Sequence, residues 1–151
     1  MITKRDSLVA LLTVCATLSI ITLAQSGKPL MGSSVFEWNA IEVKPTKVGA
    51  RRDFFQSPTA TLDELECHVT TINPGEAPHP PHQHPDEELI ILKEGTIEVL
   101  AGGQTKTAGP GSVIFQASNQ MHGMRNVGKV AATYYVIRWK SPGMLKDGPK
   151  Q

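Results

Sequence analysis

Turn residues limit the fold of this chain more than any other feature of its sequence. The 151 residues include 13 glycines and 11 prolines, and from about residue 40 they separate short apolar or alternating segments. The segments recur about every eight to twelve residues, and none shows a convincing helical period. This pattern is typical of an all-β sandwich or small barrel. The length is sufficient for one domain with a core.

The turns divide the chain into nine predicted strands. These are 40–44, an edge strand stopped by Pro45, followed by 48–55, 62–72, 89–92, 96–101, 104–108, 112–116, 122–126 and 130–139. Gly102-Gly103 predicts a hairpin. Alternation along 62–72 places Leu65, Cys67, Val69 and Thr71 on one face and Glu66, His68 and Thr70 on the other. A nucleophilic Cys67-His68 pair is therefore not expected.

Residues 1–26 differ from the rest and predict an export signal. Lys4-Arg5 is a short basic region, 8–23 is apolar and uncharged, and Ala24-Gln25-Ser26 is a small-x-small cleavage site. We therefore expect an exported protein, periplasmic or secreted. The alternative is an uncleaved membrane anchor, although the run is short for a spanning helix. Residues 3–9 also resemble a twin-arginine signal with Lys in the first Arg position.

The remaining chain is expected to contain a lead-in at 27–35, a barrel at 36–140 and a polar tail at 141–151. Without Lys4, Arg5 and Asp6 it carries 13 basic and 13 acidic residues, with no block of like charge. This argues against nucleic acid or a membrane surface as partner. Cys67 would be the one remaining cysteine, so no disulfide within the chain is expected.

A histidine-rich segment holds the candidate site. His82 and His84 are two apart, so an extended strand would project both imidazoles to the same side. Glu88 stands at the head of the apolar run 89–92, and His122 would supply a third imidazole. Three neutral nitrogens and one carboxylate oxygen suit a divalent metal such as Mn, Fe, Co, Ni, Cu or Zn.

The spacing of these residues resembles the first motif of the cupin superfamily. Gly75 is followed by six residues, His82-Gln83-His84, three residues, Glu88, six residues and Gly95. The loop after Gly75 is one residue longer than is usual in the family. The spacing favours Glu88 over the adjacent Glu87 as ligand, because only one of two successive strand residues faces inward.

A second stretch resembles the second motif of the same family. Gly111 is followed by five residues, Ala117-Ser118-Asn119, two residues, His122, three residues and Asn126. Ala117 replaces the family's Pro and Asn119 its Gly. Asn adopts a left-handed backbone more readily than other non-glycine residues, so we expect the turn to survive.

The resemblance implies a jelly-roll barrel, usually dimeric, with His82, His84, Glu88 and His122 as metal ligands. It implies a small-molecule partner and a homodimer. The family includes dioxygenases, decarboxylases, isomerases and non-catalytic binding proteins, so the fold does not choose a reaction. A metal-dependent dioxygenase is our first expectation. A metal-dependent isomerase or decarboxylase, or an exported binding protein, is the alternative.

Several other residues are candidates for the pocket. Met124 shares the inward face with His122, so we expect it to line the pocket or to pack in the core. Asn126 is expected either to support the site through a hydrogen bond or to close a turn. Cys67 is expected in the core or in the pocket wall. His79 is expected at the rim rather than as a ligand. Arg51 and Arg52 are expected either to be solvated or to bind a substrate carboxylate.

Overall fold

The computed structural model describes residues 28–144, which form one 3-10 turn, Trp38–Ala40, and nine strands. The strands are β1 (Lys44–Thr46), β2 (Gly49–Ser57), β3 (Glu64–Ile72), β4 (Glu87–Glu94), β5 (Ile97–Ala101), β6 (Gln104–Ala108), β7 (Val113–Gln116), β8 (Gly123–Asn126) and β9 (Ala132–Lys140). The predicted signal at 1–26 and the tail beyond residue 144 lie outside the described residues. Within 28–144, no helix has the length and apolar character needed to cross a bilayer.

The strands form two antiparallel sheets. One has six strands in the order β1-β2-β3-β9-β4-β7, and the other has three in the order β6-β5-β8. The last strand, β9, lies between β3 and β4, so strands distant in sequence are neighbours in the sheet. The predicted all-β jelly-roll barrel is confirmed by this architecture.

The first strand differs from the prediction. The sequence predicts a strand at 40–44 stopped by Pro45, whereas β1 begins at Lys44 and includes Pro45, which pairs with Ala50. β1 lies at the edge of the six-stranded sheet. A proline is tolerated there because the missing N–H does not interrupt a ladder on both sides.

The core lies between the two sheets. Its buried apolar side chains come from β3, β4, β5 and β9, and they are Ile72, Ile90, Leu92, Ile97, Val99, Ala132, Tyr134 and Val136. At the turn between β4 and β5, Gly95 has φ 86° and passes close to Ala132, whose Cα would lie 2.6 Å from an added Cβ. This approach requires glycine.

The outer face of the six-stranded sheet is covered in part by the segment before β1. The Phe36 and Phe55 rings have centroids 4.9 Å apart, and Trp38 lies 6.2 Å from Tyr135. Within the predicted lead-in, Met31 donates its N–H to the Pro58 carbonyl at 2.8 Å. The six-stranded sheet therefore has apolar contacts on its outer face as well as in the core.

Candidate metal centre

The two histidine-bearing segments meet through their backbones. The N–H of His82 donates to the carbonyl of His122, and the N–H of His122 donates to the carbonyl of His82, each at 2.9 Å. Their ring centroids are 4.6 Å apart. The loop after β3 and the segment before β8 are thus joined at the site itself.

His84 is anchored to the same segment by the turn that carries Asn119. The N–H of Asn119 donates to the His84 carbonyl at 2.8 Å. Asn119 has φ 56° and is the one non-glycine residue between 28 and 144 with a positive φ. The left-handed conformation expected where the family has glycine is therefore present, and it directs this N–H toward His84.

Backbone carbonyls orient two of the imidazoles. Nδ1 of His84 lies 3.0 Å from the Asp86 carbonyl, and Nδ1 of His122 lies 2.8 Å from the Gln120 carbonyl. A carbonyl only accepts, so Nδ1 carries the proton in both rings and Nε2 keeps its lone pair. Such contacts fix the tautomer that a metal-binding histidine needs.

The nitrogens aimed into the site have no hydrogen-bond partner in the described part of the chain. They are Nδ1 of His82, Nε2 of His84 and Nε2 of His122, all buried. The three side chains offer ligand atoms that lie within 4.8 Å of one another. Unpartnered buried nitrogens are costly, so this cluster fits a divalent metal ion that would satisfy all three.

Glu88 adjoins this cluster from the start of β4. Its Oε1 lies 3.3 Å from Nε2 of His84, and the side chain is 14% exposed. Glu88 lines the central cavity whereas Glu87 does not. The alternation of β4 therefore makes Glu88 the carboxylate that could join the three histidines. We call His82, His84, His122 and Glu88 the histidine wall.

Burial favours the neutral form of two of these histidines. It lowers the pKa of His82, with a further contribution from the neighbouring His79 and His122. Burial likewise lowers the pKa of His122, partly opposed by its hydrogen bond to the Gln120 carbonyl. A neutral imidazole is the form that binds a metal, so these shifts favour metal over protons.

The histidine wall lines a cavity of about 290 Å³, and a second polar group lines the same cavity. This group, the carboxylate wall, consists of Arg51, Glu66, His68 and Arg138, on β2, β3 and β9. Glu66 accepts hydrogen bonds from Nδ1 of His68 and from Arg51, both at 2.9 Å, and from Arg138. The His68 and Arg138 contacts hold the pKa of Glu66 at about 2.

The carboxylate wall is not predicted by the sequence. Alternation correctly separates Glu66, His68 and Thr70 from the apolar face of β3, but it does not say which face is inside a barrel. Polar residues usually face solvent, whereas here all three line the cavity. The neighbouring apolar residue Val69 is 2% exposed on the opposite face.

The three predicted pocket residues are placed differently from one another. Met124 lines the cavity. Asn126 is fully buried but closes a turn instead, donating to the Ile72 and Val130 carbonyls at 3.0 and 2.8 Å. Cys67 does not line the cavity, because it alternates with Glu66 and His68 and faces the other side of β3.

The remaining candidates lie around the site. His79 is at the rim, with its ring centroid 4.2 Å from that of His82. Arg51 reaches the cavity, whereas the Arg52 guanidinium lies 4.6 Å from the Trp38 ring. A more open depression of about 590 Å³, bordered by the 77–81 loop, shares His79 and Met124 with the cavity. The two therefore lie side by side at this edge of the barrel.

Comparison with known protein families matches residues 68–138 to the family described as Cupin domain. A search of curated proteins found no match. Many solved structures are similar in fold.

Three of these structures illustrate the similarity. The polyketide cyclase RemF from Streptomyces resistomycificus is 19% identical, with a TM-score of 0.58 over 80% of this chain and 88% of that one. KdgF from a Halomonas species is 18% identical, with a TM-score of 0.60 over 76% and 100%. An RmlC-like cupin from Shewanella frigidimarina is 17% identical, with a TM-score of 0.59 over 74% and 95%. At these identities the similarity shows the fold alone.

Proposed function

The chain belongs to the cupin superfamily, and from that premise we propose that it is a metal-dependent enzyme acting on a small oxygenated molecule. One observation carries this proposal: three buried histidine nitrogens converge without a partner in residues 28–144, on the wall of an open cavity. Glu88 adjoins them as the fourth ligand. The metal is a divalent transition ion, Mn, Fe, Co, Ni, Cu or Zn.

The charges of the cavity indicate an anionic substrate. Arg51 and Arg138 meet three carboxylates, those of Glu66 and Glu88 in the lining and that of the buried Asp86, whose Oδ2 lies 3.4 Å from Nε of Arg138. The site histidines are neutral as ligands, so a divalent cation brings the sum of these charges to one positive charge. A small molecule with two neighbouring oxygens, one of them a carboxylate, suits both this charge and a cavity of about 290 Å³.

The chemistry divides between the metal and the chain. When bound, the metal supplies Lewis-acid stabilisation of charge on a substrate oxygen. His82, His84, His122 and Glu88 hold the ion, and the carbonyl contacts of His84 and His122 fix their ring orientation. The cavity surrounds the substrate, and Met124 supplies an apolar part of its wall.

The reaction subclass stays a prediction. The resemblance puts a dioxygenase first and an isomerase or decarboxylase second, and the non-catalytic binding protein remains the alternative. Uptake of O₂ by metal-loaded protein with phenols, diketones and keto acids would support the dioxygenase. Conversion without O₂ uptake would support the isomerase or decarboxylase. Binding without any conversion would support the binding protein and overturn the enzyme proposal.

The metal is tested first by elemental analysis of the purified full-length protein, beside His84→Ala. We expect about one transition metal ion per chain in the wild type and a loss of it in the variant. A wild-type protein that takes up no stoichiometric ion, even after incubation with each candidate metal, would overturn the proposal. Export and the homodimer stay predictions, testable by cell fractionation and by solution mass.

A further inference from the structure

The carboxylate wall contains a histidine that the proposed metal centre does not use. His68 on β3 is 8% exposed and lines the same cavity as the histidine wall, together with Glu66, which is 5% exposed. A buried titratable group that lines a cavity beside a charged partner is a candidate for a functional role there.

The hydrogen bond between the two side chains fixes the tautomer of His68. Nδ1 of His68 lies 2.9 Å from Oε1 of Glu66. An ionised carboxylate only accepts, so Nδ1 carries the proton and the lone pair is on Nε2. Nε2 is then the ring nitrogen that can accept a proton.

Two arginines hold the carboxylate in place. Arg51 donates to the same Oε1 that contacts His68, at 2.9 Å, and Arg138 donates to Oε2. With both oxygens engaged, Glu66 cannot turn away from His68. These contacts also keep Glu66 ionised, since its pKa is held at about 2 by His68 and Arg138. A fixed anion behind an imidazole orients the ring and stabilises its protonated form.

We propose that His68 is the catalytic acid–base of this enzyme, with Glu66 as its positioning residue, and that the substrate is a small 2-keto acid bearing hydrogen on C3. This inference rests on the proposed function. The 2-keto acid follows from the positive lining, the cavity size and the need for two neighbouring oxygens at the histidine wall. The proton carrier follows from the position of His68 in the lining of the same cavity.

The step balances without an oxidant or reductant. Nε2 of His68 takes a proton from C3, and the C–H electron pair becomes the C2–C3 double bond. The carbonyl π pair moves to the oxygen at C2, where negative charge develops. The protonated His68 then returns its proton to C3, or to the oxygen to release the enol, and the ring is again neutral. The net change is exchange or isomerisation.

The first test examines His68 directly by ¹⁵N–¹H NMR of full-length, zinc-loaded protein labelled at histidine. In the wild type we expect His68 to carry its proton on Nδ1. In Glu66→Leu no acceptor faces Nδ1, so the preference of His68 for a proton on Nδ1 should be lost. Glu64→Leu is the matched control, because Glu64 lies on the same strand and pairs with Lys140 at 2.9 Å. It should leave the His68 signals unchanged. A wild-type proton on Nε2, or no change in Glu66→Leu, would overturn the inference.

The second test measures exchange of the C3 protons of 2-ketobutyrate in D₂O by ¹H NMR, with metal content determined for each protein. General acid–base catalysis is worth about 10² to 10⁴-fold, so His68→Gln should slow exchange at least 100-fold at unchanged metal content. Glu64→Gln should exchange at the wild-type rate.

The outcomes separate the two proposals. If the wild type catalyses exchange and His68→Gln does so equally, the carboxylate wall is a structural ion-pair network. The inference then fails while the metal-dependent enzyme stands. If metal-loaded wild type catalyses no exchange, the keto-acid substrate is overturned. If it binds no metal, the proposed function itself fails.

Discussion

The histidine wall and the carboxylate wall line one cavity, but their polar atoms are partnered differently. Nitrogens of His82, His84 and His122 are buried without a partner in the described residues. In the carboxylate wall, the Glu66 carboxylate accepts hydrogen bonds from three side chains, and Nε of Arg138 alone is a buried atom without a hydrogen-bond partner within residues 28–144. The carboxylate is therefore satisfied within the chain, whereas the three histidine nitrogens need a partner from outside it.

This difference indicates that the histidine wall binds a metal ion and that the carboxylate wall orients a histidine side chain. An unpartnered buried polar atom costs about 1 to 3 kcal/mol, so three of them at one point are a local instability that a metal ion would relieve. A satisfied carboxylate has nothing left to bind, but it can hold a neighbouring histidine in one tautomer. The two walls should therefore fail in different ways when altered.

The largest expected effect is loss of the metal in His84→Ala. Altering groups that merely support a metal ligand already costs about 10- to 100-fold in affinity, so removing a ligand should cost more than about 100-fold. At free metal a hundred times its dissociation constant, the wild type gains about 2.7 kcal/mol of stability, and the variant should gain almost none. Calorimetric titration and thermal unfolding with and without metal measure both. His79→Ala should keep the metal, and an equal loss in that variant would mean that the ligand set is wrong.

The second prediction concerns the carboxylate wall. Glu66→Leu leaves Arg51 and Arg138 without their shared partner and should lower the free energy of unfolding by about 3 kcal/mol. Metal per chain should not change. Glu64→Leu, which removes a more exposed pair with Lys140, should cost about 1 kcal/mol or less. Denaturant unfolding of metal-free proteins measures the difference. Loss of metal in Glu66→Leu would show that the walls are not independent.

A third prediction uses acid. The pKa of Glu66 is lowered from 4.5 to about 2, so its contribution is fully present above pH 4.5 and is lost as pH falls toward 2. The loss should reach about 2 kcal/mol, with allowance for the partly exposed arginines. Burial also lowers the pKa of His82 and His122. The free energy of unfolding should therefore fall below about pH 6.5 in the wild type and in every variant that keeps both histidines.

Comparison with Glu66→Gln gives the part of this acid dependence that is due to the Glu66 carboxylate. Unfolding of metal-free protein from pH 7 to 3 should show a steeper decline in the wild type below pH 4.5 than in the variant. Parallel curves would mean that the ion pairs of Glu66 contribute nothing to folding.

The smallest expected effect concerns the support of the histidine wall. Asn119→Ala places an ordinary side chain at φ 56° and should cost about 1 kcal/mol. Asn119→Gly accepts that conformation and should stay within about 0.5 kcal/mol of the wild type. Thermal unfolding measures both. If alanine were as stable as asparagine, the left-handed turn would not be what holds Asn119 against His84.

The sequence predicts the histidine wall better than the carboxylate wall for a physical reason. The spacing of His82, His84 and Glu88 determines local geometry. Asn119 stands where the family has glycine, and it has the left-handed backbone conformation that this position needs. Glu66 and His68 instead depend on which face of β3 is enclosed. That is decided by packing against distant parts of the chain, including Trp38 and Tyr135 on the outer side. The same uncertainty about the enclosed face made Cys67 a candidate for the pocket.

Pro45 and Asn126 show two further limits of the sequence. The sequence predicts that Pro45 ends the first strand, whereas the edge position of β1 tolerates this proline. Asn126 has a sequence signal compatible with either a site contact or a turn, and only the carbonyls of Ile72 and Val130 decide for the turn.

The reciprocal hydrogen bonds between His82 and His122 determine when the site forms during folding. These residues are far apart in the chain, and joining them has an entropic cost that local contacts do not repay. Non-local pairings of this kind form late, so a partly folded chain holds histidines but no site. Metal uptake after dilution from denaturant should therefore trail the formation of the sheets. In the folded protein, hydrogen exchange of the amides of His82 and His122 should report one common free energy of opening, because a single opening event exposes both.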